Sequence, residues 1–391
     1  MARRPSILKY PLFPTLNHHL IDHPTLSNSS YRRVLGLLVG PFSVIYIIIG
    51  VFLAMHHTPH VDPAFSSVEH IMRDVKGGWW LRHMHANGAS PFFIVVHSYI
   101  LCGSHHGSYA SLRESVRCIG AVILSSMIIT VLMGYVPSWG YMSFRGVTAI
   151  TSPASATPVV GDTIVTRPRG GFSVDNATSN RFSSPHYLLP FPIVGASIVH
   201  PAVPYKYGSN NPSGLNSSAD KTAPYLHSHV KDPAGWVAFA ISLSLSVFHA
   251  PNLPGHPDNY IPANPMSTPA YIVSERHPSP IHAIPYSIPN KSGGVAAIGL
   301  VSVSSPAPPP TNTAYVRSSS SRPIHEKLFW LFSIDRSPSG WIGCQPVEAS
   351  YVTIGYIALV GPLFHSAITP IPGELEAFLS SAKHESSTRI N

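Results

Sequence analysis

HYLLPFPIVGASIVH, residues 186–200, is an apolar run with a histidine at each end. His186 and His200 are 14 positions apart, which on an α-helix corresponds to about 21 Å of rise and about 40° of rotation. Both side chains would therefore lie on one face of the helix. A histidine inside an apolar membrane helix is costly unless it has a partner. The stretch thus predicts two stacked partners, each of them a metal or a cofactor.

The composition of the chain is typical of an integral membrane protein. Of its 391 residues, 44% are hydrophobic and only 11% are charged, against about 25% charged in soluble domains. The 40 prolines and the mean hydropathy of only +0.15 are unusual for a membrane protein. The net charge of +8 is dispersed among apolar segments without a basic stripe, so we expect no nucleic-acid partner.

Eight apolar stretches indicate an all-α integral membrane protein with eight transmembrane helices in a lipid bilayer. They cover residues 34–55, 79–104, 115–136, 180–206, 233–250, 291–309, 324–343 and 350–371. The polar segment 207–229 reads as the main loop and predicts two domains, 1–215 and 216–391. The proline-rich end of the sixth stretch, 300–310, cannot continue as a regular helix, since each interior proline costs about 3 kcal/mol.

The second stretch supplies the other half of each predicted ligand pair. In an up–down bundle the second and fourth helices run in the same direction, so His85 lies level with His186. Tyr99 follows His85 by 14 residues and lies level with His200. His97 follows His85 by only 12 and points about 120° away. One level therefore has two histidines, and the other pairs a histidine with a tyrosine.

Glycines recur in the first and third stretches at the same interval of 14. They are Gly36 and Gly50, and Gly120 and Gly134. Glycine lets a bulky flat group approach the backbone closely, whereas small residues in membrane helices usually serve helix–helix packing. The shared interval favours a flat cofactor, and the packing alternative stays open.

Longer motifs carry a family resemblance. They are MHANGAS at 84–90, GDTIVT at 161–166, GGFSVDNAT at 170–178, HYLLPF at 186–191, YGSNNP at 207–212, HPDNYIPANPMSTP at 256–269, RPIH at 322–325 and WIGCQPVE at 341–348. In this order and register, over about residues 13–371, the chain resembles the cytochrome b family of the respiratory cytochrome bc1 complex, most closely the mitochondrial form of land plants.

The resemblance implies two non-covalent b-type hemes in a four-helix bundle, followed by C-terminal helices. His85 and His186 match the iron ligands of one heme. His200 matches a ligand of the other, and Tyr99 stands where its second histidine is expected. Arg82 matches a residue that pairs with a heme propionate. The glycines would pack against the hemes. Two histidines per iron leave no open position, so such hemes carry electrons.

The resemblance also implies the enzyme and its setting. The family is the catalytic core of a quinol–cytochrome c oxidoreductase in the mitochondrial inner membrane, which uses ubiquinol and helps to build a proton gradient. Glu275 matches the residue that accepts a proton from quinol. Asp232, Lys231 and Tyr205 match positions of the inner quinone site. The implied partners are the Rieske iron–sulfur protein, cytochrome c1 and the other subunits of a dimeric complex.

The departures from the family follow one rule. Arginine often replaces tryptophan, as at Arg276, and proline or serine often replaces leucine or phenylalanine, as at Pro278. Each change fits a cytidine where a uridine is needed. Tyr99, Cys102 and Ser138 fit the opposite exchange. We predict that the sequence is the conceptual translation of an organellar transcript that is edited in both directions. The alternative is the product of a non-functional pseudogene.

A non-redox membrane transporter with histidines near the bilayer midplane is the alternative from another functional class. It predicts isolated histidines without a second histidine at the same level. The pairing of His85 with His186 argues against it, and paired b-type bands in an absorption spectrum would distinguish the two.

Overall fold

The computed structural model describes most of the chain between residues 25 and 378. The described residues are 25–28, 34–108, 114–207, 211–214, 220–222, 231–269, 272, 287–288, 290–304, 318–343, 345, 348–368, 371, 374–376 and 378.

The described part is almost entirely helical. Its α-helices are α1 (Val34–Ala54), α2 (Val61–Arg73), α3 (Gly78–His105), α4 (Glu114–Tyr135), α5 (Tyr141–Thr151), α6 (Gly161–Arg169), α7 (Asn176–Leu188), α8 (Pro190–Tyr207), α9 (Lys231–His249), α10 (Lys291–Ser304), α11 (Pro323–Ile342) and α12 (Ala349–Ile368). Four short 3₁₀ turns, at Val136–Ser138, Ser152–Ala156, Pro257–Tyr260 and Ser319–Ser321, join them. Strands β1 (Thr25–Leu26) and β2 (Lys221–Thr222) form one short antiparallel pair. The expected all-α fold is confirmed.

Each of the eight predicted stretches contains helix. Within the described residues, three segments are long and apolar enough to cross a membrane, Val34–Ala54, Ser115–Ser138 and Asn176–Val203. The fourth stretch differs from the prediction, because it is divided at Leu189 into α7 and α8. Pro190 and Pro192 have no N–H to donate to the helical ladder. Helix α10, in the sixth predicted stretch, ends at Ser304, and residues 305–317 lie outside the described part.

The bundle that positions the candidate site consists of α1, α3, α4, α7 and α8. Helix α1 packs against α3 and α8, and α4 packs against α7 and α8. Their shared core includes Leu38, Phe42, Phe93 and Val96, and α9 joins it where Trp236 stacks on Phe42, with ring centroids 5.0 Å apart.

A second apolar cluster lies at one end of the bundle, where the short helices pack. Trp139 is 7% exposed, and its ring lies 5.7 Å from that of Phe144, edge to face. Its φ of 50° is left-handed, which is uncommon for a large side chain. A side chain at the next residue, Gly140, would collide with Asn259. Residues 139–140 are therefore held against the 257–263 segment.

Candidate functional site

His85 on α3 and His186 on α7 face each other inside the bundle. Their ring centroids are 6.2 Å apart and their planes are at 84°. Two metal–imidazole bonds of about 2 Å on opposite sides of one ion place the ring centres about 6 Å apart. The level predicted from the 14-residue spacing therefore exists, and its width suits a single metal ion between the two rings.

Tyr99 and His200 form the second level. Their ring centroids are 6.5 Å apart at 74°, nearly the arrangement of the first level. His97 does not enter this pair, because its ring is exposed and its Nδ1 bonds to the backbone oxygen of Phe93 at 2.7 Å. The prediction that His97 points away from the site is thus confirmed.

Each glycine of the 14-residue pattern faces one ring of the two pairs. A Cβ added at Gly50 would lie 3.1 Å from Cε1 of His85, and one at Gly120 would lie 3.1 Å from Cε1 of His200. At Gly36 it would lie 2.9 Å from Cε2 of Tyr99, and at Gly134 it would overlap the ring of His186. In contrast, Gly40 on α1 and Gly195 on α8 have nothing within 4 Å of an added Cβ. These four glycines therefore make room for the rings themselves.

Backbone oxygens of the helices that carry the glycines orient the rings at the first level. Nδ1 of His186 lies 2.7 Å from the carbonyl oxygen of Thr130, four residues before Gly134. His85 makes a corresponding contact with the backbone of Tyr46, four residues before Gly50, that is looser than a hydrogen bond. A hydrogen bond from Nδ1 fixes the tautomer and leaves Nε2 as the ligating atom. Sequence reasoning missed this contact because a backbone acceptor has no residue signature.

Arg82 lies one turn before His85 on α3. Its charge acts on the neighbouring loop residue His57, whose pKa is lowered to about 4, mainly by burial and then by Arg82 and His186. Nδ1 of His57 lies 2.9 Å from Oγ of Ser67. A cationic and a neutral polar group thus stand beside the first level, where an anionic substituent of a cofactor would find a partner.

The predicted quinone-site residues are placed only in part. Lys231 and Asp232 begin α9, both half-buried, with Asp232 in the first turn. A carboxylate there is also favoured by the helix dipole. Tyr205 lies near the end of α8, and Glu275 lies outside the described residues. The two candidate quinone sites therefore remain predictions.

The described residues contain no group of three or more His, Cys, Asp or Glu side chains arranged to hold a metal ion. Two opposed ligands suit a metal whose remaining ligands are supplied by its cofactor. An iron porphyrin fits this description.

The comparisons with known proteins identify the family. The family model described as cytochrome b/b6/petB matches residues 20–208, and the model of its C-terminal part, cytochrome b(C-terminal)/b6/petD, matches residues 262–362. Cytochrome b of Marchantia polymorpha is 67% identical over 379 residues, covering 97% of this chain and 94% of the relative. The chain belongs to the cytochrome b family. Cytochrome b of Arabidopsis thaliana is 60% identical over 373 residues, 95% of each chain.

A solved structure supports the fold of this cytochrome b. A chain of a hyperthermophilic respiratory Complex III superposes with a TM-score of 0.88, at 24% identity, over 95% of this chain and 98% of that chain. Membership of the family makes the protein a multi-pass membrane protein that binds b-type heme. The redox function is thereby favoured over a non-redox transporter.

Proposed function

We propose that this cytochrome b is the core redox subunit of respiratory Complex III, the quinol–cytochrome c oxidoreductase. It takes electrons from quinol, moves them across the membrane and contributes to the proton gradient. The observation that carries the proposal is the opposed pair His85 and His186, whose ring centroids are 6.2 Å apart, with a glycine against each ring. An opposed pair of this width binds one iron and leaves no position for oxygen.

The chain's own residues hold the cofactors and exclude other chemistry. When bound, two b hemes supply one-electron transfer. His85 and His186 would ligate the first iron, and the Thr130 carbonyl holds the His186 ring in its tautomer. Arg82 would pair with a propionate. Gly50 and Gly134 keep the backbone of α1 and α4 clear of the ligand rings.

The second level fits the same cofactor on one side only. His200 offers an imidazole whose Nδ1 is buried without a hydrogen-bond partner, and Gly36 and Gly120 keep the space clear. The opposite position holds the phenol of Tyr99. We infer that the mature protein carries histidine at position 99, restored by editing of the transcript.

The quinone chemistry belongs to two further positions. Glu275 accepts a proton from quinol at the outer site, a role for which a carboxylate is chemically suited. Asp232 and Lys231 bind quinone at the inner site. Tyr205 stands at the position of an inner-site histidine, and a tyrosine cannot shuttle protons near neutral pH as histidine can.

The same proposal covers domains, partners and location. The boundary near residue 215 separates the heme-binding domain 1–215 from the C-terminal domain 216–391, and it falls between the two matched family regions. The subunit spans the mitochondrial inner membrane with eight helices. It works with the Rieske iron–sulfur protein and cytochrome c1 in a dimeric complex.

Optical spectra of the purified complex test the proposal. With the mature subunit we expect two b-type bands in the reduced-minus-oxidised spectrum and reduction of both by quinol. The variant His186→Leu should lose the band of the first level, whereas Ile94→Ala, at an exposed side chain on α3, should keep both. Two intact bands in the His186→Leu variant would contradict the assignment of the ligands.

A further inference from the structure

The second level has the phenol of Tyr99 where the first level has an imidazole. The ring centroids are 6.5 Å apart instead of 6.2 Å, and both pairs are close to perpendicular. Resting on the proposed function, that these levels hold hemes, we propose that a chain with tyrosine at position 99 binds its second heme between His200 and the phenolate oxygen of Tyr99. This heme is confined to the ferric state.

The position of the Tyr99 ring supports direct ligation by its oxygen. The ring lies across from His200 and against Gly36, where an added Cβ would be 2.9 Å from Cε2. It thus occupies the ligand position, while 39% of the side chain is exposed. The oxygen of a phenol lies outside its ring, whereas the ligating nitrogen of an imidazole is part of the ring. A tyrosine and a histidine that share one metal ion therefore need a wider spacing between ring centroids than two histidines do.

His97, the other histidine in this part of α3, is directed elsewhere. Its Nδ1 bonds to the backbone oxygen of Phe93 at 2.7 Å and its ring is exposed. To reach the position of Tyr99 it would have to cross about 160° of the helix circumference, since two residues of helix turn by about 200°. The phenol is therefore the group that meets the heme opposite His200.

The chemistry of the phenol determines the redox state. Coordination to ferric iron replaces the O–H bond of Tyr99 by an iron–oxygen bond and releases the proton to solvent, with no change of oxidation state. Tyrosinate is a known axial ligand of heme, and the identity of the axial ligand sets the heme's redox potential. An anionic oxygen favours ferric over ferrous iron, so this heme accepts no electron from the first level.

The consequence is a subunit that has both hemes and transfers electrons only as far as the first. A single tyrosine-to-histidine exchange at position 99 would convert the second heme from a ferric dead end into a carrier. An unedited copy would therefore assemble with its cofactors and block the path across the membrane.

The experiment compares three complexes that carry tyrosine, Tyr99→His or Tyr99→Phe. Total heme per subunit is measured as the pyridine hemochromogen, the spin state of the ferric hemes by electron paramagnetic resonance, and the reducible fraction after addition of quinol. With tyrosine we expect two hemes, one of them high-spin ferric and not reduced by quinol, so the reducible heme is half that of Tyr99→His. In Tyr99→Phe the tyrosinate spectrum should be absent.

Each other outcome has a definite meaning. One heme per subunit with tyrosine at 99, two fully reducible hemes, or the same high-spin spectrum in Tyr99→Phe would overturn the proposal of tyrosinate ligation. Fewer than two hemes in Tyr99→His would overturn the proposed function itself.

Discussion

Among the glycines that face the two ring pairs, Gly134 leaves the least space. A Cβ there overlaps the His186 ring, which the Thr130 carbonyl holds in place. We expect Gly134→Ala to cost about 1–3 kcal/mol by overpacking and to lower heme occupancy of the first level at least five-fold, measured by absorbance at equal subunit concentration. Gly40→Ala on α1, with open space at its Cβ, is the matched control and should keep full occupancy. Equal spectra of the two variants would contradict the close approach of Gly134 to the His186 ring.

His57 gives the protein an acid-sensitive residue beside the first level. Its pKa is lowered to about 4 from about 6.5 in an unfolded chain, so its contribution to stability is complete above pH 6.5 and is lost as the pH falls toward 4. We expect the thermal midpoint of the complex to decrease over this window by the equivalent of about 3 kcal/mol. His57→Gln should flatten the decrease and His56→Gln should not. Identical pH profiles for both variants would contradict this role.

At the scale of elements, the start of α11 depends on a residue more than 50 positions away. Oε1 of Glu376 accepts hydrogen bonds from the backbone N–H groups of Ile324 and His325 at 3.0 and 3.1 Å, and Oε2 pairs with Nε of Arg322 at 2.8 Å. The Arg322 and Glu376 side chains are 5% and 14% exposed. Glu376 thus acts as the N-terminal cap of α11 and neutralises a buried cation.

Removal of this carboxylate should be costly, because it leaves Arg322 buried without its ion partner. Breaking a buried pair from one side costs about 3–5 kcal/mol. We predict that Glu376→Gln lowers the thermal midpoint of the complex and exposes the C-terminal segment to protease, while Glu374→Gln, at an exposed neighbouring carboxylate, leaves both unchanged. Equal melting of the two variants would show that the pair contributes nothing.

Hydropathy could predict the long helices and not the short ones. The apolar runs located α1, α3, α4, α9, α11 and α12 to within a few residues, since burial in lipid needs only length and composition. The amphipathic helix α2 and the short helices α5 and α6 lack an apolar run of this length and cannot be located in this way. The division at Leu189 agrees with the two prolines that follow it, Pro190 and Pro192, which have no N–H to donate to the helix.

For the whole molecule, the regular rise of the helix made the site predictable. Residues 14 apart lie on one face of a helix. Together with the parallel direction of the second and fourth helices in an up–down bundle, this spacing predicts His85 opposite His186 and Tyr99 opposite His200, as the structure has them. The one-to-one match of glycines to rings and the Glu376 cap were not predictable. They depend on which helices are neighbours, and that is set by packing across the chain.

The last prediction concerns the chain that the cell makes. Tandem mass spectrometry of this subunit from mitochondrial membranes should read the peptide across residues 83–113. If editing restores the second level, position 99 is histidine, position 97 tyrosine and position 102 arginine, because pyrimidine exchanges account for all three. Peptides from positions where the chain already matches its relatives need no editing and serve as the control. Tyrosine at 99 in an abundant subunit would contradict restoration by editing, and the subunit would then carry the ligation by Tyr99 proposed above, with electron transfer ending at the first heme.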